Sequence, residues 1–136
     1  MKALTICQPY PWLIFSGEKP VENRTWPTRY RGPLAIHAGK SRAWLDDDEE
    51  AEFASAGDPL VFGAIVGTCT LAACLRVEDI EAGKHDAEFP QLIGRAHCGG
   101  PWCWVLTDVK RLAEPIPYRG SQGLFDIPGG ILPAAA

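Results

Sequence analysis

The chain of 136 residues and 14.8 kDa has the length of one domain, enough to bury roughly two-thirds of its unfolded surface without disulfides or metal. With 46% apolar and 22% charged residues it reads as an ordinary globular protein, which excludes the disordered, collagen-like and coiled-coil classes. The net charge of −4 speaks against non-specific duplex binding, yet residues 1–42 hold seven Lys/Arg against two Glu, a basic island that suits one anion-accepting cleft.

The elements follow in short pieces punctuated by glycine and proline. Lys2 to Cys7 alternates as a strand, and Pro9 to Ser16 is an apolar helical turn that Gly17 ends. Pro20 to Trp26 reads as extended, and the two-residue period of a strand puts Glu22, Arg24 and Trp26 on one face, with Lys19 at the preceding turn. Pro33 to Ala38 is a strand after the Arg31-Gly32 turn. Ser41 is the expected cap of a helix running to Ala56, with the acids Asp46 to Glu50 near its positive end. Val61 to Leu75 is rich in β-branched residues and predicts a long strand or two, too short for the about 20 residues of a membrane span. Glu78 to Ala82 is a helical turn, Gly83 to Gly100 is irregular, and Trp102 to Leu112 is the last strong strand. Five or six strands with one main helix and short flanking helices predict an α+β fold with a curled or barrel-like sheet, since closing a sheet removes its reactive edges. One domain over residues 1–136 is expected, its last few residues a flexible tail.

The cysteines, Cys7, Cys69, Cys74, Cys98 and Cys103, are odd in number, and the opening MKALTICQPY lacks the apolar core of a signal peptide, so a reduced, cytoplasmic protein is expected, with no membrane partner. His97, Cys98 and Cys103 do not have the paired Cys-x-x-Cys spacing of common zinc sites, so no metal site is expected. There is no phosphate loop or dinucleotide fingerprint, and no cofactor is implied. The densest polar cluster is residues 17–32, GEKPVENRTWPTRYRG, in which Lys19, Glu22, Arg24, Arg29 and Arg31 alternate with Trp26 and Tyr30. Cations interleaved with aromatics suit single-stranded nucleic acid or a nucleotide, the cations meeting phosphate and a ring stacking on a base; the plainer alternative is a solvated strand edge. Trp102 and Trp104 alternate on one strand face and read as core.

The segment LTICQPYPWLIFSGEKPVENRTWPTRYRGPLAIHAGK resembles the opening of the ASCH (activating signal cointegrator homology) domain, with Gln8-Pro9, then Gly17, Lys19, Glu22 and Arg24 in the pattern Gly-x-Lys-x-x-Glu-x-Arg, then Arg31-Gly32 and a strand ending His37-Ala38. FGAIVGTCTL, WCWVLTDVKRL and PIPYRGSQGLFDIP are similar to later parts of that family. The resemblance implies a small PUA-like β-barrel and a basic cleft that takes single-stranded RNA, a nucleotide or a nucleoside, lined by Lys19, Glu22, Arg24, Trp26, Thr28, Arg31 and His37, with Arg119 and Gln122 as a second wall. It also implies an alternative, since some members hydrolyse N4-acetylcytidine with a lysine, a threonine three residues later and a separate glutamate, and others are ribonucleases. Lys19 and Glu22 are then the catalytic candidates, but Glu22 stands where that subgroup has threonine, so a hydroxyl route needs Thr25 or Thr28. As cleft cations, Lys19 and Arg24 are expected to tolerate alanine with loss of binding and no loss of folding.

Overall fold

The computed structural model describes residues 1–43, 45–94 and 97–133. Six strands, β1 (Lys2–Ile6), β2 (Val21–Arg24), β3 (Gly32–Ala38), β4 (Ala64–Arg76), β5 (Trp102–Pro117) and β6 (Leu124–Asp126), form one mixed sheet in the order β2-β5-β4-β3-β1-β6. All neighbours are antiparallel except β1 and β3, which run parallel with Thr5 opposite His37. The long central pair β4 and β5 shifts register between Ile65 and Gly67, Thr68 and Thr70, and Leu71 and Ala73. Such irregularities bend strands and increase twist, and the sheet curls into a half-barrel. Leu4, Ile6, Leu34, Ile36, Leu71, Trp104 and Leu106 are packed together as one core. Val21, Ile80, Phe89, Leu92, Cys103 and Val105 form a second cluster, and Ala3, Ala35, Ile65 and Ile127 a third.

Helix α1 (Tyr10–Ser16) ends at Gly17, whose left-handed backbone (φ 87°) is the glycine cap expected from the sequence. Its Phe15 ring sits on the bare backbone of Gly67, and Trp12 Nε1 donates to Asp58 Oδ2 at 2.7 Å. The buried Gln8 amide donates to the Val61 carbonyl at 2.9 Å, so the Gln8-Pro9 dipeptide ties the start of α1 to the approach to β4.

The main helix differs from the expected one at its start. Helix α2 spans Asp47–Ser55 and is capped by Asp46, whose carboxylate accepts from Glu49 N at 2.7 Å while the Glu49 side chain accepts from Asp46 N. This reciprocal capping box satisfies two otherwise orphaned donors. Ser41 lacks that partner; its hydroxyl accepts from Ala43 N in a local turn. Helix α3 (Val77–Glu81) matches the expected helical turn, and β5 runs past Leu112 to Pro117. The expected flexible tail falls partly on residues 134–136, outside the described residues. Among the described residues no helix is long and apolar enough to cross a membrane.

Asp58 also takes Arg111 Nη1 on both carboxylate oxygens, at 3.1 and 3.0 Å. The Arg111 hydrogen bonds and then the Trp12 indole hold its carboxyl below the usual value, against a smaller opposing effect of burial. A depressed folded-state pKa contributes stability above the ordinary carboxylate range and loses it as pH falls through the depressed value. In Asp58→Asn the melting temperature is expected to drop slightly at neutral pH, by no more than about 1 kcal/mol of stability for so exposed a pair. The gap to wild type should narrow in thermal melts as pH falls through and below the ordinary carboxylate range.

Candidate functional site

The turn after α1 sets the first wall of a cleft. Gly17 reverses the chain, the Lys19 backbone N–H donates to the Leu13 carbonyl at 3.1 Å, and Leu106 N donates to the Pro20 carbonyl at 3.0 Å. These two anchors bring Lys19 inward and start β2 against β5. The strand period then puts Glu22 and Arg24 on one side, as expected, but Glu22 and the preceding Lys19 are not solvated surface residues. Lys19 is only 3% exposed and Glu22 7%.

Lys19 Nζ donates to the Val21 carbonyl and to Glu22 Oε1, the latter at 3.2 Å, and lies 5.4 Å from the centre of the Tyr10 ring. Arg24 Nη2 donates to Glu22 Oε2 at 2.9 Å and to the Thr5 carbonyl at 2.8 Å. Glu22 is therefore shared by two cations, one on each carboxylate oxygen. Among the described residues Arg24 Nε is a buried side-chain donor with no partner in the protein.

The cleft encloses about 700 Å³ and is lined by Thr5, Cys7 and Tyr10, by Lys19, by Glu22 to Trp26, and by His97, Cys98 and Gly99. Asn23 ties down the rim at His97–Gly100. Asn23 Nδ2 donates to the His97 carbonyl at 2.7 Å, and its Oδ1 accepts from Gly99 N at 3.0 Å and Gly100 N at 3.1 Å. His97 takes a left-handed conformation there (φ 61°). Trp26 stands over the opening, 36% exposed, with its ring edge-on to the buried Trp104 at 4.7 Å. Trp104 Nε1 donates to the Trp26 carbonyl at 3.3 Å, so a core residue braces an exposed one.

The other expected site residues are distributed around this centre. Thr28 accepts from Tyr30 N at 3.1 Å, and Arg31 Nη1 donates to the Thr28 and Tyr30 carbonyls at 2.9 and 2.8 Å, so both shape the loop between β2 and β3. His37 is buried at 2% exposure behind Thr5, with Nδ1 3.1 Å from Thr5 Oγ1 and Nε2 2.6 Å from the Tyr118 carbonyl. Arg119 and Gln122 are exposed, flanking Gly120, whose backbone seats against Thr5 and His37 and so places their turn beside the cleft wall. Sequence reasoning missed Thr5, Cys7, Tyr10 and Asn23. Asn23 lies in β2 out of phase with Glu22 and Arg24, and only the arrival of residues 97–100 reveals its use.

The thiols sort by environment. Burial pushes Cys69 up to about 12 and, with a smaller contribution from the neighbouring Cys98, Cys103 up to about 11. Cys103 Sγ donates to Asn23 Oδ1 at 3.5 Å, joining the core to the same tether. Both behave as packing residues at neutral pH, because reactivity and metal ligation belong to the thiolate.

The ASCH domain sequence model matches residues 4–116 of the chain. No protein of curated function matches it. In architecture the chain is similar to the crystal structure of ASCH from Zymomonas mobilis, with a TM-score of 0.54 and 15% identity over 95% of this chain and 88% of that one. A tyrosine-to-phenylalanine mutant of that protein gives 0.53 at 15% identity over 94% of this chain and 90% of its own. A serine-to-alanine mutant gives 0.52 at 15% identity over 94% and 88%. At that identity the likeness is one of fold: a curled six-stranded sheet with a few helices.

Proposed function

Because the chain belongs to the ASCH domain family, we propose that the cleft beside Gly17 to Arg24 binds single-stranded RNA or a nucleotide or nucleoside. The observation that carries this reading is the pairing of a braced, exposed indole with a guanidinium that keeps an unpartnered donor, Trp26 and Arg24 on the walls of one cleft. A base stacks on the first while an anionic or carbonyl oxygen meets the second. The volume falls in the range of small-ligand sites. Helix α2 presents its acids to solvent, which disfavours phosphate elsewhere and confines an anion to the basic side.

Glu22 favours binding over hydrolysis in which it is the base. Each of its oxygens already accepts from a cation, so its role is to hold Lys19 and Arg24 in place. The test is a fluorescence-anisotropy titration of labelled single-stranded RNA and duplex DNA at two salt concentrations. RNA is expected to bind more tightly and to weaken steeply with salt, and Trp26→Ala is expected to lose about 1–3 kcal/mol for each stacked base. Equal affinity for duplex DNA, or no binding of RNA or nucleotide at low salt, overturns the reading.

A further inference from the structure

A hydroxyl poised in the cleft exists, but not where the chain's opening motif directs attention. Thr5 lines the cleft from β1, and its Oγ1 lies 3.1 Å from His37 Nδ1 on the adjacent parallel strand. The other ring nitrogen, Nε2, faces the Tyr118 carbonyl at 2.6 Å. A carbonyl oxygen can only accept, so Nε2 carries the hydrogen, and in the neutral ring Nδ1 is left as the acceptor of the Thr5 hydroxyl proton. This is the order nucleophile, base, orienting oxygen that activates hydroxyls and thiols on unrelated folds, including cases whose third member is neutral.

Glycine backbone packs closely around that hydroxyl, with no side chain at these positions to block it. A Cβ on Gly120 would lie 2.8 Å from Thr5 Oγ1 and 2.7 Å from the His37 ring, and one on Gly39 would lie 3.1 Å from the Thr5 methyl. Arg24 donates to the Thr5 carbonyl, which fixes a cation beside the hydroxyl's own residue. We infer that Thr5 is an acyl-accepting nucleophile with His37 as its general base, acting on carboxylic esters of ring-bearing alcohols. The ring of such an ester lies against Tyr10 and Trp26.

In the first half-reaction Thr5 Oγ forms a bond to the ester carbonyl carbon as its proton passes to His37 Nδ1. The tetrahedral oxyanion faces the Arg24 guanidinium. The bond to the alcohol oxygen then breaks, and that oxygen takes the proton from His37. In the second half water attacks the Thr5 ester, gives its proton to His37, and releases the carboxylic acid as Thr5 Oγ recovers a proton. The sum is ester plus water to acid plus alcohol. The inference uses the proposed binding cleft only for where the ring sits.

The experiment follows acyl transfer from 4-nitrophenyl acetate, with rapid quench and peptide mapping of the acetylated residue. Wild type is expected to show a burst of nitrophenol and an acetyl group on the peptide containing Thr5. The burst rate should fall about 10²- to 10⁴-fold in His37→Gln and vanish in Thr5→Val, while Thr5→Ser retains it. Gly120→Ala, whose added methyl pushes Thr5 Oγ1 and the His37 ring apart, is expected to slow it as well. Absence of a burst in wild type, acetyl on Lys19 or a cysteine instead of Thr5, or full activity in Thr5→Val overturns the assignment. RNA titration of the wild type is read separately: binding without acylation removes this inference alone, and acylation without RNA binding removes the binding proposal alone.

Discussion

Replacing Glu22 by alanine is expected to cost about 3–5 kcal/mol of stability, because it leaves the Lys19 ammonium buried without its counter-charge. In a chain of this size that corresponds to a fall in melting temperature of roughly 10–20 °C. Val21 still accepts from Lys19, but a carbonyl dipole does not replace a carboxylate. Arg24 is more exposed and can reach water, so most of the loss belongs to Lys19. The expectation that Lys19→Ala leaves folding intact changes accordingly. Lys19 fills buried space, and its removal leaves a void beside Tyr10 in addition to a missing charge. Lys19→Met preserves the volume, and in its background Glu22→Ala should cost much less. Thermal melts of the two single variants and the double variant close the cycle; a Glu22→Ala protein that melts with wild type contradicts the buried pair.

Gly67→Ala is expected to be the most disruptive single methyl in the sheet. Its Cβ would lie 2.2 and 2.3 Å from two atoms of the Phe15 ring and 2.5 Å from the carbonyl oxygen of Lys110. The ring can swing away, but the carbonyl belongs to the neighbouring strand and moves only if the pairing of β4 and β5 opens. Overpacking of this kind costs about 1–3 kcal/mol and occasionally more, and the backbone clash puts this site at the upper end. Urea unfolding of Gly67→Ala should show a lower midpoint at unchanged slope. In a Phe15→Ala background the penalty should persist, because the Lys110 contact remains. Displacing Phe15 also tilts α1, which carries Tyr10 into the cleft, so ligand affinity should weaken along with stability.

The strands and the motif were readable where the pattern is local. Glu22 and Arg24 share a face by the period of a strand, and they do meet through an ion pair. Gly17 stops α1 where glycine stops short helices. Burial was not readable: the same alternation describes a solvated edge and a strand whose polar face closes a cleft, and only the packing of α1 and β5 around Lys19 decides between them. The start of α2 turned on whether Ser41 or Asp46 had a reciprocating acid three residues on, a rule that favours Asp46 with Glu49 once it is applied. Strand β6 is three residues long, too short for periodicity to register. Thr5 and His37 are far apart in sequence and become neighbours only because β1 and β3 run parallel, an arrangement no local window contains.

The position of β1 has a consequence for how the molecule comes into being. Flanked by β3 on one side and β6 on the other, with Met1 exchanging hydrogen bonds with Ile127, this strand cannot complete its ladder until residues more than a hundred positions later have emerged. Contacts of such long sequence separation carry a loop-closure cost that is met before any reward from pairing. The first of the six strands to be made is thus among the last to be secured. During synthesis the edge that β6 will cover stays open to solvent and to other chains, and the cleft takes shape only when the whole sheet does.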